Sequence, residues 1–505
     1  MISAYQQSLG GMGEVRVRMA PSPTGFLHIG TARTALFNWL FARKYNGVFV
    51  MRIEDTDPER SQKIYEKDIV EGLKLLGIDW DEGPDVGGPY GPYRQSERAD
   101  IYRRYLEQLI DEEKAYHCFC SQEELMAAHQ DMEARGEIYR YSGKCRGLGP
   151  EQVKENMDQG KPFAVRLKVG NEKVAFEDVI RGTIETSTDQ LGDIAISRGL
   201  DGALYNYSVV IDDHEMKISH VIRGEDHIPN TPKQILVQRA FGWEQPIYAH
   251  LPLILGTDRT KLSKRHGATS LKDYIGQGYL PEALLNFLSL LGWHPSGDRE
   301  VFLTQELISE FSLDRVQKGG AIFNIVKLNW FNNYYLRKKS VADLRETAVA
   351  FLVQDGFLET AGENGYRYPQ TGTIATPAYL ESVFALAVER LNTLGELKDA
   401  IRYFFEDPSC EASMIPWKQM TRDETRGILK RIKEVFDKVS PDEFGKEKIT
   451  VALEELYQGD KGHVLWPLRV VLSGKEASPP PFDIAAIVGK DTVMRRIDNA
   501  IQTLL

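Results

Sequence analysis

Residues Arg18 to Arg33 read RMAPSPTGFLHIGTAR, and the order of residue types in that stretch decides the fold. Val15, Val17 and Met19 alternate with polar residues as a half-buried strand does, a turn of Pro, Ser and Gly follows, and His28, Ile29 and Gly30 open a helical run from Thr31 to Lys44. A strand feeding a helix in this way begins an open, mostly parallel α/β sheet, whose ligands bind beyond the carboxyl ends of the strands. The turn also sets an imidazole and a close-packing glycine at the helix start, where unpaired N–H groups and the positive end of the helix dipole favour phosphate oxygens.

A second stretch, KLSKRHG at Lys261 to Gly267, gathers Lys261, Lys264 and Arg265 around Ser263. That density of charge suits the β and γ phosphates of a bent nucleotide. Neither stretch has the glycine and lysine pattern of a P-loop or the spacing of a dinucleotide fingerprint. Alone, a turn with one histidine says little, and a Lys/Arg run is usually a solvated loop.

Joined by the long intervening sequence and the RMAPSPTG lead-in, the two stretches resemble the signatures of class I aminoacyl-tRNA synthetases, and within them the bacterial-type glutamyl-tRNA synthetases. His28-Ile29-Gly30-Thr31 matches the first signature, with Thr31 where the class often has a second histidine, and Lys261 to Arg265 matches the second, with Leu262 and Arg265 at its variable places. The resemblance implies a class I Rossmann-like α/β catalytic fold with a mixed α/β insertion, followed by an all-helical anticodon-binding region. The implied reaction is ATP-dependent attachment of L-glutamate to the 3′ end of tRNA-Glu through a glutamyl-adenylate, with release of AMP and pyrophosphate. The resemblance leaves tRNA-Gln open as a second acceptor and implies a monomer.

At 505 residues the chain is too long for one ordinary core. Its 42% apolar and 27% charged residues are those of a soluble globular protein, and no apolar run approaches the roughly 20 residues of a membrane span. The start, MISAYQQSLGGMGE, has neither the basic-then-apolar order of a signal peptide nor the Arg-rich character of a transit peptide, so residues 1–14 read as a flexible tail and the protein as cytoplasmic. A net charge of −11 argues against a nonspecific nucleic-acid coat, not against an RNA partner held on a local basic face. Four cysteines in so long a chain make a disulfide scaffold a poor reading.

Pattern and resemblance divide the remainder into segments. Residues 15–110 form the first half of the catalytic domain, with the strand GVFVM and a helix carrying Ile64, Ile69, Leu73 and Leu76 at helical intervals. Residues 111–203 form an insertion with a helix from Ser121 to Ala134 and strands in FAVRLKV and VAFEDVIRG, which the resemblance makes the grip on the tRNA acceptor end. Residues 204–269 return to the catalytic domain, with YNYSVVIDD reading as a strand that resumes the sheet, then the strand ISHVIRGED and the helix TPKQILVQRAFG. Residues 270–340 form a connecting helical domain, and 341–505 a helical region with too little strand pattern for a β barrel. Glutaminyl enzymes and eukaryotic glutamyl enzymes carry barrels there, and the former have an APEPNG-like form in place of APSPTG. The short paralogue that glutamylates a tRNA base lacks this region altogether, and a noncatalytic derivative would lack His28, Glu54 or Lys264.

By resemblance, His28 and Gly30 serve the ATP phosphates, with Mg2+ bridging phosphate oxygens. Lys261, Lys264 and Arg265 sit on a mobile loop over the transferring phosphates, Lys264 foremost. Arg18, Ala20 and Ser22 line the amino-acid side, Glu54 faces the ammonium, and Tyr205 and Arg223 complete the pocket, with Arg223 for the side-chain carboxylate. Arg18 can share that task, and Asp226 and His227 stand at nearby matching positions. The plain alternative for Arg223, in VIRGED, is an ordinary salt bridge. Arg52, Glu54, Asp55 and Asp57 follow a strand directly, as site residues do, although Asp57 equally suits a turn cap. Arg198 is assigned to support of its own loop.

Cys118, Cys120 and Cys145 can supply three thiolates to a structural Zn2+, with Tyr141 the fourth ligand by resemblance and His117 or His129 in its place otherwise. Buried thiols without metal are the other reading. Cys410 reads as a packed thiol. Arg390, in ERLNTL, is the candidate for anticodon binding through stacking and hydrogen bonds to unstacked bases, against the alternative of a solvated helix cation.

Overall fold

The computed structural model describes residues 14–57, 59–263, 265, 267, 270–362, 365–457 and 459–505, so the tail expected at the start lies outside the described residues apart from Glu14. The chain divides into two compact units, one running to Tyr274 and taking in Leu284–Ile325, the other made of Ile275–Ala283 and Val326–Leu505.

In the first unit, β1 (Arg16–Met19) is buried along its length and leads through the proline turn into α1 (Ile29–Lys44). The chain returns as β2 (Val48–Met51), paired in parallel with β1 from Arg16 opposite Val48 to Met19 opposite Met51. A parallel pair requires such a crossover, and the return is tight because Gly47 has no Cβ to strike the Val15 carbonyl. In α2 (Lys63–Leu75), Ile69 and Leu73 are buried, but Ile64 is exposed, so the apolar face begins later than the residue spacing predicts.

After α3 (Ala99–Asp111), an antiparallel sheet is built from β3 (Ala115–Cys118), β4 (Ala164–Leu167) and, beyond the hairpin of β5 (Lys173–Asp178) and β6 (Gly182–Ser187), from β7 (Ile194–Arg198) and β8 (Gly202–Ala203). The predicted helix of this segment is present at Gln122–Ala134, with Ser121 and Glu124 forming a capping box. The β5–β6 hairpin leaves the antiparallel sheet and joins the catalytic one.

The YNYSVVIDD segment is not the predicted strand. It is the helix α4 (Tyr205–Glu215). Tyr207 to Asp213 are all buried, and a helix buried on every side shows a continuous apolar run that sequence cannot tell from a buried strand. The sheet resumes at β9 (His220–Gly224) and, after α5 (Thr231–Phe241), at β10 (Ile247–Leu251), parallel to β9. β1 lies beside β9, with the Arg16 N–H donating to Ser219 Oγ at 2.8 Å and the Ser219 N–H to the Arg16 carbonyl at 2.9 Å. On its other edge β10 meets β5 at Tyr248 opposite Asp178. One apolar cluster joins these layers, including Val50, Val165, Ile196, Val209, Val221 and Tyr248.

The second unit is mainly helical. Its helices include α6 (Val341–Gln354), α7 (Pro377–Val388), α8 (Arg422–Asp437), α9 (Lys446–Glu454), α10 (Gly462–Ser473), α11 (Pro481–Val488) and α12 (Lys490–Thr503). α8 shows why: a Thr421–Glu424 capping box starts it, and Ile428, Leu429, Ile432, Val435 and Phe436 form one buried stripe. Among the described residues after 341, the strands are three of two residues each, in one small antiparallel sheet, so no barrel is formed. No described helix is long and apolar enough to cross a membrane.

Candidate active site

A cleft of about 1230 Å³ opens at the carboxyl ends of β1, β9 and β10. His28 is the N-cap of α1, its backbone extended and its Nδ1 accepting from the Thr31 N–H at 3.2 Å, while Nε2 lies 2.8 Å from Thr31 Oγ1. The ring folds back over the helix start because position 30 is glycine: a Cβ there would stand 3.2 Å from His28 Cε1 and Nδ1. No acidic residue occupies the first turn of α1, so its positive end faces the cleft uncompensated. Crowding by the cleft walls lowers the His28 pKa, Lys261 lowers it further and Asp226 opposes, so the imidazole stays neutral near pH 7.

The second signature is fastened to the first. The Leu262 N–H donates to the Ile254 carbonyl at 2.9 Å, and beyond the loop Ser270 bridges to His28 while the Leu271 N–H donates to the Leu27 carbonyl at 2.8 Å. Lys261, Leu262, Ser263 and Gly267 line the cleft. Lys264 lies outside the described residues. Arg265 is not among the lining residues: its guanidinium donates to Thr260 Oγ1 at 2.6 Å and pairs with Asp258 at 3.7 Å within the same turn.

On the amino-acid side, Arg18, Ala20, Ser22, Glu54, Tyr205 and Arg223 line the same cleft, with Asp226 and His227. Arg18 Nε donates to Asp213 Oδ1 at 3.1 Å, and Arg52 bridges Asp213 at 2.7 Å and Glu54 at 3.1 Å. Burial opposes ionisation of Asp213, but Arg18 and Arg52 outweigh it and hold that carboxyl below the usual range. For Glu54 burial prevails over the same two cations and its pKa is raised. Deeper, Asp212 accepts from Arg98 Nε at 2.6 Å, Gln95 Nε2 at 2.8 Å and the Tyr102 hydroxyl. Sequence reading missed both aspartates. Two adjacent acids ending an apolar run were the available signal, but a strand would have sent them to opposite faces, whereas the end of α4 sends both inward.

Tyr205 opens α4, its hydroxyl 2.9 Å from His227 Nδ1, and burial with nearby Glu54 raises its pKa to about 12. Among the described residues Arg223 has no carboxylate partner, so the ordinary salt bridge in VIRGED is not formed there. Glu225 pairs with Arg181 instead. Arg223 Nε donates to His250 Nε2 at 3.1 Å and Nη2 to Thr231 Oγ1 at 2.8 Å, while Nη1 is buried without a hydrogen-bond partner. Asp55 turns away to hold Ser96, accepting from its N–H at 2.8 Å and from its hydroxyl at 2.6 Å, and Asp57 Oδ1 accepts from the Arg60 N–H, as a turn cap does.

The three sulfurs of Cys118, Cys120 and Cys145 all lie within 4.8 Å of one another. Ligands at about 2.3 Å from one tetrahedral zinc stand roughly 3.8 Å apart, so the set fits. The Tyr141 hydroxyl is 3.3 Å from both Cys118 Sγ and Cys120 Sγ. His117 packs on Phe119 and Phe163, and His129 on Tyr139, and neither belongs to the cluster. Arg198 is exposed at the end of β7, pairing through its backbone with Gly202. Cys410 is half-buried, its thiol donating to the Val470 carbonyl at 3.1 Å. In the second unit, Arg390 is exposed beside a cavity of about 330 Å³ that it lines with Leu391, Tyr403, Lys475 and Ser478.

Comparison with known proteins places both units. The family described as tRNA synthetases class I (E and Q), catalytic domain, matches residues 14–330, and the anticodon binding domain family matches residues 344–501. Glutamate–tRNA ligase 1 of Caldicellulosiruptor saccharolyticus is 44% identical over 497 residues, 96% of this chain and 98% of its own. The glutamate–tRNA ligase of Carboxydothermus hydrogenoformans is 45% identical over 491 residues, covering 96% and 99%. A crystal structure of a glutamate tRNA ligase from Elizabethkingia meningosepticum, in complex with its amino acid, superposes with a TM-score of 0.86 at 34% identity, covering 98% of this chain and all of that one.

Proposed function

The chain belongs to the class I tRNA synthetases of the glutamate and glutamine group, and we infer that it is a glutamate–tRNA ligase, joining L-glutamate to the 3′ end of tRNA with consumption of ATP. The observation that carries this reading is one cleft in which a phosphate-favouring helix start meets a pocket holding a buried carboxylate, Glu54, and a buried arginine with a free Nη1, Arg223.

Glutamate brings an ammonium, an α-carboxylate and a side-chain carboxylate. Glu54 takes the ammonium, Arg223 takes the side-chain carboxylate in a charge-assisted pair, and Arg18, Ala20, Ser22 and Tyr205 shape the remainder. An α-carboxylate oxygen then bonds to the α phosphorus of ATP as the bond to the bridging oxygen breaks and pyrophosphate leaves. Most of the work is positioning and neutralisation of charge. The start of α1 with His28 and Gly30 holds phosphate oxygens, neutral His28 donating without adding charge, and Lys261 with Lys264 opposes the charge gathering on the leaving pyrophosphate. Arg265, committed to Asp258 and Thr260, steadies the loop and contacts phosphate only if it leaves them. Mg2+ accompanies ATP, held by phosphate oxygens and water. The terminal ribose hydroxyl of tRNA next attacks the acyl carbon, forming the ester and releasing AMP.

Residues 111–203 serve the acceptor end, residues 270–340 connect, and residues 341–505 read the anticodon, with Arg390 against an unstacked base. Cys118, Cys120, Cys145 and Tyr141 hold a structural zinc that ties the end of β3 to the Tyr141–Cys145 segment. The enzyme acts as a monomer in the cytoplasm, a reducing setting in which such thiols persist.

The test is attachment of labelled glutamate to tRNA-Glu and tRNA-Gln in parallel, with ATP and Mg2+. Charging of tRNA-Glu is expected, charging of tRNA-Gln as well would define a broad acceptor range, and terminal charging of neither overturns the reading.

A further inference from the structure

Behind Arg223 lies a buried pair that the reaction above does not use. Asp178, the last residue of β5, and His250, in β10, are both fully buried. Asp178 Oδ1 accepts from the N–H groups of Ile180 at 3.0 Å and Arg181 at 2.8 Å, and Oδ2 accepts from the His250 N–H at 3.0 Å and lies 2.7 Å from His250 Nδ1. An ionised carboxylate only accepts, so Nδ1 carries the imidazole proton. Arginine only donates, so Nε2, which receives Arg223 Nε at 3.1 Å, must present its lone pair. Both contacts therefore demand one neutral tautomer. Burial lowers the His250 pKa and Arg223 opposes its charging, against the pull of Asp178, which keeps the ring in that state.

The consequence falls on Arg223. Nε is held by His250 and Nη2 by Thr231 Oγ1, both uncharged, which fixes the plane of the guanidinium and leaves Nη1 buried and unpartnered where the residue lines the cleft. A carboxylate in the place of His250 would orient the arginine equally well but cancel its charge, as Asp213 does for Arg18. The imidazole interposes a neutral group between the arginine and Asp178.

We propose that Asp178 and His250 are positioning residues that aim Arg223 and keep its charge available, and so set the pocket's preference for a carboxylate over an amide on the substrate side chain. The proposal rests on the reading of Arg223 as the residue that meets that carboxylate. It also makes the β5–β6 hairpin, which joins β10 at Asp178, a contributor to amino-acid choice as well as to the sheet.

The experiment measures KM for glutamate and for ATP in tRNA charging by His250→Phe, His250→Gln, Asp178→Asn, Arg223→Gln and the double variant Arg223→Gln/His250→Phe. His250→Phe should raise the glutamate KM roughly tenfold or more, the range that outer-shell partners of a bound group carry, and leave the ATP KM nearly unchanged. His250→Gln, whose carbonyl can accept from Arg223, should recover much of the loss. Asp178→Asn admits the opposite tautomer and should behave as a milder His250→Phe, and it carries the test where the phenylalanine variant does not fold. The double variant should be no worse than Arg223→Gln alone, since His250 acts through the arginine. Additive losses in the double variant, or equal rises in the glutamate and ATP KM values, overturn the positioning role while leaving Arg223 in place. An unchanged glutamate KM in Arg223→Gln instead removes the reading of Arg223, and the proposal with it.

Discussion

Two buried arginine sites face one cleft and are built on opposite principles. At the carboxyl end of β1, Arg18 shares Asp213 with Arg52, and Arg52 also meets Glu54. At the carboxyl end of β9, Arg223 is held by an imidazole and a hydroxyl. The first site has largely balanced its charges within the protein. The second keeps a cation unbalanced at the cost of desolvation, which is the condition for attracting an anionic side chain. Residue type alone does not separate the two, since both are arginines near the carboxyl end of a parallel strand.

The largest effect should come from breaking the balanced site. Asp213→Ala strands Arg18 in the interior and takes one of the carboxylates from Arg52, and should cost roughly 3–5 kcal/mol of stability, read by denaturant unfolding. A loss below about 1 kcal/mol would place that site among exposed ion pairs and erase the contrast. Arg223→Gln, by comparison, takes no charge from a partner. It should leave stability nearly intact while weakening glutamate binding by about 2 kcal/mol or more, close to thirtyfold in KM.

A third cluster, the thiols, sharpens the rule from the other side, because three sulfurs within 4.8 Å of one another can hold a cation in exchange for their protons. Purified protein should carry one zinc per chain by elemental analysis, and Cys120→Ala should lose it and lower the unfolding midpoint, with glutamate KM little changed.

Titration gives a finer test. Asp213 is held below its ordinary range, so its stabilising contribution is complete above that range and is lost as pH falls through the lowered value. Glu54 is raised, so its contribution is present below the ordinary glutamate range and is lost as pH rises through the raised value. Unfolding measured from about pH 3 to 7 should therefore show the deficit of Asp213→Asn shrinking toward acid and Glu54→Gln gaining on the parent toward neutrality, by about 1.4 kcal/mol per unit of pKa shift. Slopes of the same sign for both would refute the assignment of charges. The smallest effect is expected at Arg390, exposed where Arg223 is buried: Arg390→Ala should raise the KM for tRNA by less than about tenfold, since water already solvates its charge, and leave the KM for glutamate unchanged.

How much of this was legible in the sequence varies by residue. The strand, proline turn and His28 at the helix start follow from local residue order, because capping and turn chemistry act over a few positions. The cysteine cluster was legible as residue types, and folding was needed to bring the Tyr141 hydroxyl to Cys118 and Cys120 and to pack His117 and His129 on aromatic rings, since all three lie near in sequence. Arg265 was read with its charged neighbours, yet Asp258 and Thr260 occupy it across the turn. The segment before Asp212 and Asp213 was read as a strand, which hid the acids that balance Arg18 and Arg52.

By itself the sequence determined the local starts and stops of the elements, the order of strand and helix that makes the parallel sheet, and the resemblance that carries the reaction, because these depend on neighbours along the chain. Tertiary structure alone decided which charges are spent on one another and which remain for a ligand. Arg18 is 195 positions from Asp213, and Asp178 is 72 from His250. Electrostatic balance depends on distance and burial, and over such separations both are set only when the strands are brought side by side.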